Sequence, residues 1–385
     1  MTKDSDQQWR QTWVEVDLDA IRNNCAAMAS AIEDAGLCAV VKADAYGHGA
    51  VEVAREAIAG GASWLAVALV EEGIKLRRAG IEAPILLLSE PHTGACEAVI
   101  EHNLTSTVYS LDYVEALHSA AARMGRQVDI HVKVDTGMHR VGVVPSKCLD
   151  LLDVLKLRSS LNLEGLWTHF AKADEPEAPT TRDQARVFDE VLAEVRVRGF
   201  APRIVHVSNS AGALGFGEYR NLVRSGIAIY GVAPSPEVAL PAGVRPAMSI
   251  HSRVSHVQRL EAGAKVSYGH RYEVPAPATI ATIPIGYADG IPRLLSFRGG
   301  EVLIGGTRHP IAGAITMDQL MVNCGNHDVT RDDEVVLLGR QGSEEISAEE
   351  LAERIDTIGY EFISQIGPRL PRRYLGGSMR GDGGP

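Results

Sequence analysis

Between residues 37 and 224, short apolar runs alternate with amphipathic helical stretches, and this alternation constrains the fold more than any other feature of the chain. LCAVVK at 37–42 is a continuous apolar run, as a strand buried on both faces requires. Strand-like runs recur at 64–70 (WLAVALV), 85–88 (ILLL), 104–108 (LTSTV), 129–134 (DIHVKV), 163–168 (LEGLWT), 203–207 (RIVHV) and 221–224 (NLVR). Helical spacing fills most of the gaps. Ahead of the first run, Leu18, Ile21, Cys25, Met28 and Ile32 recur at three- and four-residue steps after Asp17, a suitable N-cap. Ser110 caps a second such stretch, with Val114, Leu117, Ala121 and Met124 on one side and Gly125 as its stop. Eight strand–helix units in roughly 210 residues predict a (β/α)8 barrel of TIM type. An open doubly wound sheet gives a similar pattern, but no GxGxxG follows the first strand.

The pattern changes at PSPEVALPAG, 234–243, a proline-rich boundary. Beyond it come alternating runs with turn residues: SIHSRVSHVQRL, ATIATIPIGY, EVLIGGTRHPIAGAIT, LMVNCG and DEVVLLG. They predict a mainly antiparallel β domain. One helix interrupts it, with Ser347 and Glu350 as a capping box and Ile346 with Leu351 as a hydrophobic staple. The expected division is a barrel over 13–242, a β domain over 243–378 and a disordered tail over 379–385.

Composition excludes several classes of partner. The 385 residues are 45% apolar and 23% charged, values that permit a large core. Net charge is −11 with no long basic run, so no nucleic-acid partner is expected. No stretch approaches the ~20 apolar residues of a membrane helix, so no membrane partner is expected either. The polar start lacks an apolar signal core. The five cysteines are scattered, with no CxxC pair, as in a chain with reduced thiols. A cytoplasmic location follows as the expectation. Neither HxH nor HExxH occurs, which disfavours a metal-dependent hydrolase and leaves no metal site to expect.

Barrel enzymes carry their chemistry at the C-terminal ends of the strands. Lys42, Arg140, His169, Ser210 and Arg224 all fall at or just beyond such ends. Lys42 is the most suggestive. Burying a lysine at the end of an apolar strand penalises its charged form, and a neutral lysine forms Schiff bases with aldehydes.

KADAYGHGA at 42–50 resembles the pyridoxal-phosphate signature of the alanine racemases, usually KANAYGHG. KVDTGMHRVG at 133–142 is similar to the family's KVDTGMGRLG. EGLWTHFAKAD, VSNSAG, VRSGIAIYG, VSYGHRY, IPIGYADGIPR, TMDQLMV and PRLPRRY follow in the family's order, so the resemblance spans residues 13 to about 375. It implies pyridoxal 5'-phosphate as cofactor, alanine as substrate and a homodimer with shared active sites, supplying D-alanine for peptidoglycan. By the resemblance Lys42 carries the cofactor and acts as one base, and Tyr268 from the other subunit is the opposite base. Tyrosine is a poor base at its reference pKa of ~10, and His169 matches the histidine that hydrogen-bonds it. Arg224 matches the arginine facing the pyridine nitrogen. The phosphate falls to Tyr46, Ser210, Gly226, Ile227 and Tyr374. Arg140, Met317, Tyr287 and Thr316 are implied at the substrate end. Lys133 matches a lysine that is often carbamylated.

The chain departs from the family pattern at Asp44 (usually Asn), His139 (Gly), Ser225 (Pro or a bulky residue), Ile291 (Tyr) and Thr316 (Cys). None removes a catalytic group, but Ile291 and Thr316 bear on substrate range. A serine or broad-range racemase is therefore the alternative. A pyridoxal-phosphate decarboxylase fits less well, for no GGG loop occurs. A non-catalytic pyridoxal-phosphate binding protein would end near residue 240.

Overall fold

A computed structural model describes residues 9–217 and 219–377, in two compact units. One unit comprises 19–45 and 49–245 and holds eight parallel strands: Gly36–Val40, Ala62–Val67, Ile85–Leu87, Thr105–Val108, Val128–Lys133, Leu161–Trp167, Ile204–His206 and Leu222–Ser225. Each coincides with a run read from the sequence. The first seven pair consecutively, and the eighth returns to pair with the first. Where the seventh and eighth strands meet, no regular ladder forms. Asn221 spans that seam instead: its N–H donates to Val205 O (3.2 Å), and its Oδ1 accepts from Val205 N–H (2.7 Å). The nearly closed TIM-like barrel predicted from the alternation is present.

Local chemistry sets the strand ends. WLAVALV reads as a strand to residue 70, but the strand stops at Val67. Glu72 explains this, because its Oε2 takes the N–H groups of Ala68 (2.9 Å) and Leu69 (3.1 Å) and caps the helix Val70–Arg78. Ser110 does cap the helix Leu111–Arg123, its Oγ accepting from Tyr113 N–H, and Gly125 ends it with φ 61°.

The other unit comprises 9–18, 46–48 and 246–377. Its main sheet is antiparallel except at one edge. There Thr12–Asp17 pairs antiparallel with Met248–Arg253 and parallel with Arg372–Leu375. No strand is expected at 12–17 from the sequence, although Thr12, Val14 and Val16 alternate and are buried. A second sheet joins His256–Leu260, Ala278–Ile283 and Leu320–Gly325. Ser347 caps Ala348–Arg354 through Glu350 N–H (3.0 Å), with Ile346 and Leu351 buried beside it. A further helix, Gly359–Ser364, was not foreseen, since six residues are too few to show a helical period. The tail at 379–385 lies outside the described residues. Among the described residues no helix is long and apolar enough to cross a membrane.

Candidate active site

Lys42 follows the first barrel strand and opens a left-handed turn. Ala43, Asp44, Ala45 and Tyr46 have φ between 51° and 56°, a region that costs L-residues about 1 kcal/mol or more each. Hydrogen bonds hold it there. Glu72 Oε1 accepts from Ala43 N–H (2.6 Å), Val41 O from Ala45 N–H (2.9 Å) and Asp44 O from Gly49 N–H (2.8 Å). Asp44 Oδ1 accepts from Lys75 Nζ (2.6 Å) and Ala50 N–H (3.1 Å). Asp tolerates the left-handed region as Asn does, which accounts for the Asp44 departure. Burial, then the Arg140 charge, push the Lys42 ammonium below its ordinary value, with Glu72 opposing.

Four more cationic or imidazole groups gather at the same rim. Lys133 ends the fifth strand, 2% exposed, with its ammonium 4.7 Å from the Trp167 ring centroid. Burial, then repulsion from Arg140 and Arg224, push it down to about 7. His169 is driven well below the usual imidazole range by burial, then by Arg224, Lys133, Arg140 and Lys42. Arg140 is exposed and lies on the loop after the fifth strand. Asp135 shapes that loop by accepting at Oδ1 from the N–H groups of Gly137 (3.2 Å) and His139 (2.9 Å). His139 has φ 52°, so the family's glycine at this position has a conformational reason, which Asp135 here offsets.

Arg224 is 2% exposed in the last strand, 4.6 Å from the Trp167 ring centroid. Its Nη2 donates to Thr168 O and Val207 O (both 3.0 Å) and to His169 Nδ1 (3.3 Å), and its Nη1 to His206 Nδ1 (2.8 Å). Burial lowers it to about 10, so it stays charged at neutral pH. His169 Nδ1 must then be an acceptor, which puts the imidazole proton on Nε2. Ser210 Oγ accepts from Gly226 N–H (3.0 Å) and Ala228 N–H (3.5 Å) and lies 3.1 Å from Ser225 Oγ. The Ser225 departure is thus a hydroxyl added beside Ser210. Lys42, Lys133, Arg140 and Arg224 outnumber the carboxylates that act on them, Glu72 and Asp135, and this cationic bias favours anionic ligands.

Ile227 is buried in the barrel unit, just after the last strand, and the remaining expected site residues belong to the other unit. Tyr46 is buried, with its phenol pushed up to about 12 by burial, near the Tyr360 ring. Tyr374 is half-buried in the edge strand, in register with Val16. Tyr268 is 74% exposed on a turn held by Ser267 (φ 63°), whose Oγ donates to Ala314 O (2.6 Å). It shares a groove of about 500 Å³ with Thr316. Tyr287 N–H donates to Thr316 O (3.0 Å) and Ala288 N–H to Met317 O (3.1 Å), which brings Tyr287, Thr316 and Met317 together. Met317 is 53% exposed and Ile291 is buried. Such exposure of large side chains on one unit suits contact with another molecule.

Two family descriptions cover almost the whole chain. "Alanine racemase, N-terminal domain" matches residues 16–234, and "Alanine racemase, C-terminal domain" matches residues 247–374. The chain belongs to the alanine racemase family. It is similar to the alanine racemase of Symbiobacterium thermophilum, 47% identical over 369 residues, with 95% of this chain and 98% of that one covered. Among solved structures, alanine racemase from D-cycloserine-producing Streptomyces lavendulae is similar at TM-score 0.92 and 39% identity, over 96% of this chain and 98% of that one. Alanine racemase from Bacillus anthracis with bound L-Ala-P is similar at 0.91 and 41%, over 96% of each chain. The alanine racemase family is pyridoxal-phosphate dependent.

The barrel residues fit that cofactor. Arg224 Nε makes no hydrogen bond among the described residues and is a donor available to a ring nitrogen. Lys42 is a half-buried amine biased toward neutrality. Sequence reading missed Glu72, which holds Ala43, and Asp289. Asp289 is fully buried, accepts from Gly286 N–H (2.9 Å) and is bridged by Arg10 (2.7 and 2.5 Å), thereby fixing the loop that carries Tyr287. A glutamate at the third helical position was the available signal for Glu72. Asp289 had none, because Arg10 lies 279 residues away.

Proposed function

We propose that this member of the family interconverts L- and D-alanine by a two-base mechanism. The observation that carries the reading is the convergence on one barrel rim of Lys42, its ammonium pushed below the ordinary value, with Arg224 and Arg140. The cofactor, when bound, withdraws electrons from the substrate's Cα–H bond. The rest belongs to the protein. Lys42 takes or returns the proton on one face, which its lowered ammonium pKa favours. Tyr268 of a second copy does so on the other face, and its exposure supports that role. The Nε2–H of His169 is a donor that would stabilise the phenolate while Tyr268 is deprotonated. Arg224 is a permanent donor and cannot deliver a proton to the ring nitrogen. Charge on the substrate carbon is then less delocalised, which favours return of the proton over transamination.

Arg140 binds the substrate carboxylate, with Met317, Tyr287 and Thr316 from the second copy closing that end. Ser210, Gly226 and Ile227 hold the phosphate, with Tyr46 and Tyr374 carried over by resemblance. Gly226 N–H and Ala228 N–H both donate to Ser210 Oγ, which gathers these donors at one place. Sharing of residues requires a homodimer. The setting is cytoplasmic, and D-alanine for peptidoglycan is the product in demand. Incubation with L-alanine followed by D-amino-acid oxidase should report D-alanine, and Lys42→Ala should abolish it. L-serine turned over as fast as L-alanine would favour the broad-range reading. Cofactor binding without turnover of any amino acid would sink the proposal.

A further inference from the structure

Three buried groups in the barrel interior have no part in the reaction above: His206, His131 and Glu164. Both histidines are 0% exposed and Glu164 is 7% exposed. They form a line through the barrel. Arg224 Nη1 lies 2.8 Å from His206 Nδ1, His206 Nε2 lies 2.9 Å from His131 Nδ1, and His131 Nε2 lies 3.3 Å from Glu164 Oε2. Arg203 takes the other carboxylate oxygen. Glu164 also lines a cavity of about 140 Å³ at the N-terminal ends of the strands. The rings are wedged by aromatics, Trp167 stacked on His206 and Trp64 tilted against His131. Gly165 makes the room, since a Cβ there would stand 2.5 Å from the His131 ring.

The two ends of this line dictate its direction. A guanidinium only donates, so His206 Nδ1 accepts and its proton sits on Nε2. That N–H meets His131 Nδ1, which must accept in turn, leaving the His131 proton on Nε2. An ionised carboxylate only accepts and receives it. Working back from Glu164 gives the same answer. A second proton on either ring would point two N–H groups at each other, so both histidines stay neutral. Burial, above all, pushes them the same way, below the usual imidazole range. Burial opposes ionisation of Glu164, but the hydrogen bonds from His131 and Arg203 outweigh it and hold its carboxyl below the usual range.

We propose that Glu164 is a positioning residue for Arg224: as the fixed acceptor at the far end of the barrel, it takes the His131 N–H in the direction that Arg224 also imposes and so holds His206 Nδ1 as the acceptor that locks Arg224 Nη1. What Arg224 then does for the reaction rests on the racemase reading; the direction of the chain does not. Without Glu164 the His131 N–H is buried without an acceptor, and its ring trades between two unfavourable tautomers. Slack passes to His206 and so to Arg224.

The test is nitrogen NMR on protein labelled with 15N-histidine, free of substrate, alongside turnover of alanine. In the native protein both histidines should show Nε2–H with unprotonated Nδ1, unchanged from pH 6 to pH 9. Glu164→Leu should give a mixed pattern at His131 and lower kcat/KM by roughly 10-fold or more, as loss of an outer partner of a site residue does. Glu164→Gln keeps a carbonyl acceptor and should retain both the nitrogen pattern and turnover within a few-fold. An Nδ1–H tautomer at either histidine in the native protein would overturn the proposal, and that spectrum can be read even if the Leu variant does not fold or the protein does not act on alanine. Native turnover in Glu164→Leu would also overturn it. So would a Gln variant that keeps the nitrogen pattern yet loses turnover.

Discussion

Lys133 lets the electrostatics of the barrel rim be tested quantitatively. Its ammonium, buried and flanked by Arg140 and Arg224, is pushed down to about 7. At pH 8 an amine of that pKa is about 90% neutral, whereas an ordinary lysine near 10.4 is about 0.4% neutral. Only the neutral amine adds CO2, so the reactive form is roughly 200-fold enriched over an exposed lysine. The product, a carbamate, sets an anion beside two arginines, so the repulsion that disfavours the ammonium becomes charge-assisted hydrogen bonding. With 13C-bicarbonate at pH 8, one carbamate carbon resonance per chain is expected. It should be absent from Lys133→Met, and that variant should lose turnover that small carboxylic acids partly restore. The unmodified state has its own signature. Between pH ~7 and ~10.4 the unfolded chain holds the Lys133 proton and the folded chain does not, so this residue's contribution to stability rises with pH by about 1.4 kcal/mol per unit and is lost as pH falls through 7. In CO2-free buffer, urea titrations should show that slope in the native protein and not in Lys133→Met. A Lys133 that titrates near 10, with no carbamate at pH 8, would refute the argument.

Other consequences follow from the site. Borohydride reduction of the loaded protein should fix the cofactor on Lys42 in peptide maps; a label on another lysine would contradict the assignment. Mixing Lys42→Ala with Tyr268→Phe protein under subunit exchange should restore about a quarter of native activity, because half the dimers then carry one intact site; no recovery would place both residues in the same copy's site. Asp289→Asn should cost about 3 kcal/mol in urea denaturation, since Arg10 loses a fully buried carboxylate. Glu72→Leu should cost about 1–3 kcal/mol by freeing the N–H groups of Ala43, Ala68 and Leu69, and should raise the cofactor concentration needed for half-loading, read by absorbance.

Much of the fold is legible in the chain because its causes are local. A run such as ILLL at 85–88 can be satisfied only by burial on both faces, and all eight such runs are barrel strands. Ser110 and Ser347 cap the helices their side chains announce. The strand Thr12–Asp17 escaped notice because its partners, Met248–Arg253 and Arg372–Leu375, lie more than two hundred residues away. Its pairing energy leaves no local trace. The departures show the same divide. Nothing in the string says that Asp44 and His139 occupy left-handed backbone or that Ser225 meets Ser210.

By itself, the sequence determined that this chain alternates strand and helix, ends in β structure and carries the motifs of an alanine racemase, Lys42 among them. Tertiary structure alone decided what those residues are chemically. It buried Lys133, set the charges of Arg140 and Arg224 near it, and so drove that amine to about 7. It also ran Arg224, His206, His131 and Glu164 through one barrel, which leaves each histidine a single tautomer. The reason is physical: propensity and pattern act over a few residues, whereas desolvation, charge and hydrogen-bond direction depend on neighbours that only the closed barrel brings together.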